Sequence, residues 1–253
     1  MGGAIARGLV ASGTFAAADI TLAGPHQNVL DKVAASAPGI VTMTDNGAAI
    51  KGADVIILAV KPWVLPGVLE EIAPRIAFRE QSIVSLAAGI SLADIDGMLH
   101  RYSSDRTLFR AMPNTAMSVG CSMTFLCHDG ASQQSVDDVV AIFDRLGSTA
   151  VIEERLMGAA TALCSCGIAY VMRYVRAATE GAVELGLYPD KARDYMLATM
   201  KGAVALLEAT GNNPEVEIDK VTTPGGITIK GLNAMEAHGF TTSVIEGLKA
   251  SAK

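Results

Sequence analysis

The feature that most constrains the fold is an alternation of short β-branched runs with amphipathic stretches, which continues to about residue 152 and then stops. Runs such as DITLAG, DVIILAV and QSIVSLAAG have the length and composition of strands, and segments such as SQQSVDDVVAIFDRLG lie between them as helices. Strands that alternate with helices favour an α/β fold with a doubly wound, mostly parallel sheet. Seven strands are predicted, at 19–24, 40–44, 54–60, 81–89, 107–114, 122–127 and 149–154.

No strand is predicted beyond the one that ends at residue 154, so we expect an α/β domain of residues 1–153 followed by an all-α domain of residues 154–253. A long helix over 153–186 has a polar face with spacings of three and four residues, formed by Arg173, Arg176, Glu180 and Glu184. A second helix runs from Pro189 to Gly211, and PGGITIKGLNAMEAHGF and TTSVIEGLKASAK supply two more. The many Ala and Gly residues permit close helix packing, which we expect between subunits.

Charge and hydropathy limit the classes of partner. The net charge is −6 and no basic run occurs, which argues against nucleic acid and against an acidic membrane surface. The longest apolar runs are shorter than the roughly 18 residues that span a bilayer, and the first residues do not resemble a signal peptide. We expect a cytoplasmic protein that binds a small molecule and other subunits.

The cysteines and histidines predict no metal site. Cys164 and Cys166 lie two residues apart on a predicted helix and so point to nearly opposite sides, which favours buried small side chains over a metal or redox pair. The remaining candidates are scattered without ligand spacing; they are Cys121, Cys127, His26, His100, His128 and His238.

The first residues, MGGAIARGL, have the pattern of a tightly packed helix start. In a dinucleotide-binding fold such a helix follows a central strand and a Gly-rich turn, and its first amides bind the pyrophosphate. That strand is absent here, so we expect about ten further residues upstream, with Met1 an internal methionine. Without the strand, two sheet edges are unpaired and the chain should fold poorly. An ordinary N-terminal helix is the alternative.

Small residues follow three of the predicted strands, in AVKP, AAG and MPNT. Small side chains at the carboxyl edge of a sheet let a flat ring and a ribose lie close to the backbone, which predicts a cofactor cleft. Helix packing is the alternative for each motif taken alone.

The segment KVTTPGGITIKGL predicts an anion site in the second half. Pro224 and two glycines begin a helix, which leaves the amides of Gly225, Gly226 and Ile227 free to bind a carboxylate. Thr228 would present a hydroxyl group beside it. An ordinary turn between helices is the alternative.

Taken together, LAVKP, AAG, MPNT, the AY of CSCGIAY and above all VTTPGGIT resemble the pyrroline-5-carboxylate reductase family, over essentially the whole chain. The resemblance implies a Rossmann domain and a helical dimerisation domain that interleaves between subunits. It implies a homodimer, with assembly into a larger ring such as a decamer.

The resemblance also implies site residues. Gly2 belongs to the phosphate turn, Asn46 to the adenosine side, and the rest of the cofactor site to Ala59, Val60, Lys61, Pro62, Leu86, Ala87 and Ala88. The substrate residues are Glu154, Val221, Gly225, Gly226, Ile227 and Thr228, with Thr228 the catalytic hydroxyl near the ring nitrogen. Two departures are the absent first glycines and the run Cys164 to Ile168, in which Ile168 replaces a proline and leaves the local helix geometry open.

The reaction implied is hydride transfer from NAD(P)H to the C=N carbon of 1-pyrroline-5-carboxylate, which gives L-proline. No acidic residue follows the predicted strand DITLAG, which favours NADPH, with His26 as a phosphate neighbour and NADH as the alternative. Two other functions remain open. One is a related imine or hydroxy-acid reductase that uses Lys201 or Lys220, and the other is a truncated dimer that holds cofactor too weakly to turn over.

Overall fold

The computed structural model describes residues 1–252 and consists of two compact units, Met1–Ser165 and Cys166–Ser251. The predicted domain boundary between residues 153 and 154 lies twelve residues before the division between these units. The two units are described separately below.

The first unit contains all seven predicted strands. They are β1 Thr21–Ala23, β2 Val41–Met43, β3 Val55–Leu58, β4 Ser82–Ser85, β5 Thr107–Met112, β6 Ser122–His128 and β7 Gly147–Val151. β1 and β2 pair in parallel as a two-stranded sheet, and β3 to β7 form a five-stranded sheet in chain order. Every neighbouring pair is parallel except β5 and β6, which are antiparallel. The mostly parallel sheet is therefore confirmed, in two parts.

Helices cover both faces of the sheet. They are α1 Gly2–Ala11, α2 Gln27–Ser36, α3 Asn46–Ala49, α4 Leu65–Ile72, α5 Leu92–Leu99, α6 Gln133–Asp144 and α7 Met157–Ala160. Adjacent residues of β4 point to opposite faces, so Ile83 packs with α4 and α5 while Val84 packs with α1 and α6. This two-sided core is what the near-continuous apolar strand sequences predict.

β1 and β3 each have one edge that pairs with no strand among the described residues. The expectation of a further strand between them stays a prediction.

The second unit contains only helices: α8 Gly167–Glu184, α9 Pro189–Thr210, α10 Pro214–Val221, α11 Ile227–Ala237 and α12 Phe240–Ser251. α10 was not predicted from the sequence, although Asn213 caps its start by accepting from the amide of Glu215 and Pro214 occupies its first position. Within this unit Gly167 and Ala192 alone are buried, and most of its large apolar side chains are exposed.

The predicted single helix over 153–186 is continuous but not uniform. It starts with a 3₁₀ turn, Glu154–Leu156, and has a π-helical segment, Thr161–Cys166, directly before α8. The π segment ends two residues before Ile168, which is itself the second residue of the regular helix α8, so the run Cys164 to Ile168 changes from π-helical to α-helical geometry. Among the described residues, Glu154–Glu184 is long and apolar enough to pass a length-and-composition test for a membrane span, with a mean hydropathy of 1.3 over its most apolar 18 residues, a test that the core helix of a soluble protein passes as well.

Candidate functional site

The N-terminus of α1 lies at the carboxyl edge of the sheet, between β1 and the turn that follows β3. A Cβ atom placed on Gly2 would lie 3.2 Å from the Cβ of Ala59 and 3.7 Å from Cδ1 of Leu22. The backbone at Gly2 therefore lies so close to the side chain of Ala59 that a residue larger than glycine would be crowded at this position. This is the place where a dinucleotide-binding fold holds its pyrophosphate.

The first amides of α1 are available to an anion. Ala4 and Ile5 donate to the carbonyl oxygen of Met1, at 2.8 and 3.1 Å, and no side chain caps the helix start. The N–H groups of Gly2 and Gly3 consequently have no partner within the helix. Free amides with the positive end of the helix dipole suit a phosphate, so the residues present fit a dinucleotide diphosphate.

The turns after β3 and β4 lie side by side at this edge. The amide of Leu86 donates to the carbonyl oxygen of Leu58 at 3.1 Å, and the amide of Ala87 donates to Ser85 Oγ at 3.3 Å. The structure thus brings the predicted AVKP and AAG motifs together, with Lys61 exposed above them.

The residues predicted to lie on the adenosine side, His26 and Asn46, lie at the starts of two helices of the first unit. His26 is the N-cap residue of α2 and makes no side-chain cap hydrogen bond. Asn46 begins α3, and its Nδ2 donates to Glu71 Oε2 at 3.0 Å. Asp45 caps the same helix by accepting from the amide of Ala48, and this hydrogen bond holds the pKa of the Asp45 carboxyl below its usual range.

The MPNT turn after β5 is fixed by a buried polar network that the sequence did not reveal. The amide of Asn114 donates to Ser122 Oγ at 3.1 Å, while Asn114 Oδ1 accepts from the amide of Ala116 at 2.9 Å. Ser165 Oγ donates to the carbonyl oxygen of Pro113 at 2.9 Å and so connects the turn to the π-helical segment. The polar residues of MPNT gave the only sequence signal, because such residues at a buried turn require partners.

Glu154 lies in an ion pair within the first unit. Its Oε1 accepts from Arg110 Nη1 at 2.5 Å and from the amide of Leu92, the first residue of α5, at 2.8 Å. Arg110 is 11% exposed and Glu154 is 33% exposed. An arginine in the middle of the buried strand TLFRAM was the available signal, since a buried guanidinium needs an acidic partner. The substrate contact expected of Glu154 stays a prediction.

The predicted substrate loop lies in the second unit, between α10 and α11. Gly225 adopts a φ of +74°, in the left-handed region. A Cβ on Gly226 would lie 2.6 Å from Thr223 Oγ1, so a side chain at either position would disturb the turn. The expectation of three free amides is wrong for Gly226, whose N–H donates to the carbonyl oxygen of Thr223 at 2.9 Å.

The start of α11 is nevertheless uncapped and exposed. Gly226 is its N-cap residue without a side-chain cap, and Ile227, the first helical residue, is 88% exposed. Thr228 and Val221, the last residue of α10, are also exposed. The exposed hydroxyl of Thr228 one residue into the helix leaves room for a carboxylate at the helix start with a hydrogen-bond donor beside it.

Comparisons with known proteins cover both halves of the chain. A family model described as pyrroline-5-carboxylate reductase dimerisation matches residues 154–253. One described as NADP oxidoreductase, coenzyme F420-dependent, matches residues 1–89.

Curated relatives match the full length of the chain. Pyrroline-5-carboxylate reductase 1 of Dictyostelium discoideum is 36% identical over 99% of this chain, which spans 47% of that relative. Pyrroline-5-carboxylate reductase 2 of the same organism is 34% identical over 100% of this chain and 88% of that relative. The enzyme of Synechocystis is 33% identical, with 99% and 92% covered.

Solved structures agree with the sequence relatives. A Plasmodium falciparum pyrroline carboxylate reductase with NADP bound superposes with a TM-score of 0.89 and 26% identity, over 100% of this chain and 92% of that chain. A Coxiella burnetii pyrroline-5-carboxylate reductase has a TM-score of 0.88 and 26% identity, over 99% and 93%. A 3-hydroxyisobutyrate dehydrogenase of Mycobacterium tuberculosis, at 13% identity and a TM-score of 0.52, shares the fold alone.

Proposed function

The chain belongs to the pyrroline-5-carboxylate reductase family, and we propose that it reduces 1-pyrroline-5-carboxylate to L-proline with NADPH as the preferred hydride donor. The single observation that carries this is the pairing of two features in one chain. A glycine-lined helix N-terminus lies at the sheet edge, and a second anion site of the PGGIT type lies in the helical unit. The first suits a dinucleotide phosphate and the second suits a substrate carboxylate.

The chain is an oxidoreductase, and the other functions are less well supported. A hydroxy-acid reductase with a catalytic lysine has only a fold-level likeness to support it. A dimer that cannot turn over is disfavoured because relatives match the whole chain, including both predicted sites.

The residues of this chain would act mainly by binding and orientation. The amides of Gly2 and Gly3 would hold the diphosphate, and Lys61 would add a positive charge beside it. When bound, the nicotinamide cofactor supplies the hydride. The open amide of Ile227 would hold the substrate carboxylate, and the Thr228 hydroxyl would hydrogen-bond the ring nitrogen. Since a protonated imine is already electrophilic, no stronger acid is required.

Steady-state kinetics of Thr228 variants test this assignment. Thr228→Val keeps the shape of the side chain but removes the hydroxyl, and we expect kcat to fall about 10- to 100-fold, the loss expected for one hydrogen bond to a charged group. Thr228→Ser should restore most of the activity because it returns the hydroxyl. Equal kcat values for the unaltered chain and Thr228→Val would remove Thr228 from the mechanism.

The preference for NADPH rests on the turn after β1. The segment between Ala23 and Gln27 has no carboxylate to bind the ribose hydroxyls, and the uncapped start of α2 offers amides to a 2′-phosphate. The ratio of kcat/KM for NADPH to that for NADH should exceed one, and His26→Asp should lower it by repelling the phosphate. His100→Asp is the control, because His100 is an exposed histidine directly after α5, and it should leave the ratio unchanged. A ratio below one for the unaltered chain would reverse the assignment.

The exposed apolar side chains of the second unit support a homo-oligomer, as does its match to a dimerisation domain. We propose a cytoplasmic homodimer whose helical units interleave and which associates further into a ring such as a decamer. Analytical ultracentrifugation should give a mass that is an even multiple of 26.2 kDa. A monomeric mass at micromolar concentration would contradict the proposal.

A further inference from the structure

The single tryptophan of the chain is among its most exposed large apolar residues. Trp63 is 77% exposed, and Val64 beside it is 41% exposed. Tryptophan is normally largely buried, because its indole is the largest apolar side chain. At the surface of a folded unit, such a ring is available to pack against a ligand or a partner.

Trp63 lies next to the predicted cofactor edge of the sheet. It lies in the turn after β3, two residues beyond Lys61, whose Nζ is 6.0 Å from the centre of the indole ring. Residue 59 of the same turn is the one that Gly2 approaches at the start of α1. An exposed aromatic ring, a cation and free helix amides thus lie along one short edge, and together they match a ligand that has both a diphosphate and a flat ring.

The order of elements also indicates which half of the ligand lies there. α1 begins between Leu22 of β1 and the turn after β3. In dinucleotide-binding folds the adenosine ribose is recognised at the end of the strand that β1 represents here. The turn after β3 would therefore lie on the other side of a bound diphosphate, beside the nicotinamide half.

We propose that Trp63 is a cofactor-contact residue, whose indole packs against the nicotinamide ribose half of the bound dinucleotide beside Lys61. The proposal rests on the nicotinamide cofactor of the proposed function. Trp63 contributes affinity and orientation, and the reaction does not require it chemically.

Because Trp63 is the only tryptophan, its fluorescence reports this one position. Acrylamide quenching of the intact protein should be strong without ligand and weaker with saturating NADP⁺, since the oxidised cofactor shields the indole. Adenosine 2′,5′-bisphosphate, which lacks the nicotinamide half, should leave the quenching unchanged.

Calorimetric titration measures the affinity for NADP⁺ independently of the tryptophan fluorescence. Trp63→Ala should raise the Kd of NADP⁺ about two- to tenfold, the range for one aromatic stacking contact, with no change for adenosine 2′,5′-bisphosphate. Trp63→Phe keeps a ring and should stay within about twofold of the unaltered chain. The circular dichroism spectrum of each variant should be unchanged, because the side chain is exposed.

Other results would contradict the role of Trp63. Equal Kd values for the unaltered chain and Trp63→Ala, with unchanged quenching, would overturn the inference. Quenching that is weak without ligand and increases on dilution would mean that a second copy covers the indole, which also overturns it. If the unaltered chain does not bind NADP⁺, both the proposed function and this inference are overturned. If the unaltered chain binds NADP⁺ but the Kd does not depend on the residue at position 63, the inference alone is overturned.

Discussion

The two units differ in where their apolar side chains lie. The first unit encloses Phe109, Phe143, Leu146 and many aliphatic residues at nearly zero exposure on both faces of its sheet. The second unit buries only Gly167 and Ala192, although it has five helices and many apolar side chains. A chain whose apolar surface stays in water gains little free energy from folding.

The second unit does not bury enough apolar surface to form a hydrophobic core of its own, and a second copy would complete that core. Its exposed residues include Leu185 at 89%, and its helices pair mainly α8 with α9. Burial of such side chains against another copy supplies the hydrophobic free energy that the single unit lacks. This agrees with the match of residues 154–253 to a dimerisation domain.

The strongest test compares two valines of the same exposure in the two units. Val204 in α9 is 53% exposed and Val29 in α2 is 51% exposed. Val204→Glu should dissociate the oligomer, with a loss of at least about 3 kcal/mol per dimer because the charge enters the interface twice. Val29→Glu should change the free energy of unfolding by less than about 0.5 kcal/mol. Sedimentation and thermal unfolding measure both, and equal behaviour of the two variants would show that the apolar face of α9 is not an interface.

A second test measures how much the ion pair between Glu154 and Arg110 contributes to the stability of the first unit. Glu154→Gln keeps the acceptor for the amide of Leu92 but leaves Arg110 without a counter-charge, so we expect about 2 to 3 kcal/mol of destabilisation in urea. Glu153→Gln is the control, because Glu153 pairs with Arg155 in an exposed ion pair. The control should lose less than about 0.5 kcal/mol. If both variants unfold at the same urea concentration, the pair at Glu154 does not stabilise the unit.

Two glycines of the first unit differ in how tightly their surroundings are packed. A Cβ on Gly8 would lie 2.4 Å from Cδ2 of the buried Leu146, whereas one on Gly97 would meet nothing within 4 Å. Gly8→Ala should destabilise by roughly 1 to 3 kcal/mol through overpacking. Gly97→Ala should stabilise α5 by about 0.5 to 1 kcal/mol through helix propensity. Changes of the same sign in urea unfolding would contradict this packing.

The smallest effect concerns a titrating thiol in the first core. Cys127 is 1% exposed, and burial raises its pKa from 9.0 to about 11. The folded state therefore favours the protonated thiol. Its stabilising contribution is complete below pH 9 and is lost as the pH rises from 9 to 11, with a loss of about 1.4 kcal/mol by pH 10. Cys127→Ala should unfold with a correspondingly smaller dependence on pH in that window; an identical pH dependence would exclude this thiol as a source.

The sequence predicted local features of both the substrate loop and the cofactor edge of the sheet. PGGIT predicted a helix start with an open anion site, because Gly225 and Gly226 have local reasons to be glycine. AVKP and AAG predicted a cleft, and the structure places their turns together. The assignment of individual residues to substrate and cofactor stays a prediction.

The sequence by itself determined the seven strands, most of the helices and the glycine-dependent turns, because these depend on side-chain periodicity and backbone conformation within a few residues. Only the tertiary structure decided that β6 runs antiparallel to β5 and that Glu154 binds Arg110 and the start of α5. It also decided that Ser165 fixes the carbonyl group of Pro113. These contacts join residues that are 44 to 62 positions apart, and no local pattern specifies which distant partner a buried polar group will meet. Local sequence propensity determines the helices and strands, whereas the need to satisfy buried polar groups and to cover apolar surface determines how these elements pack together.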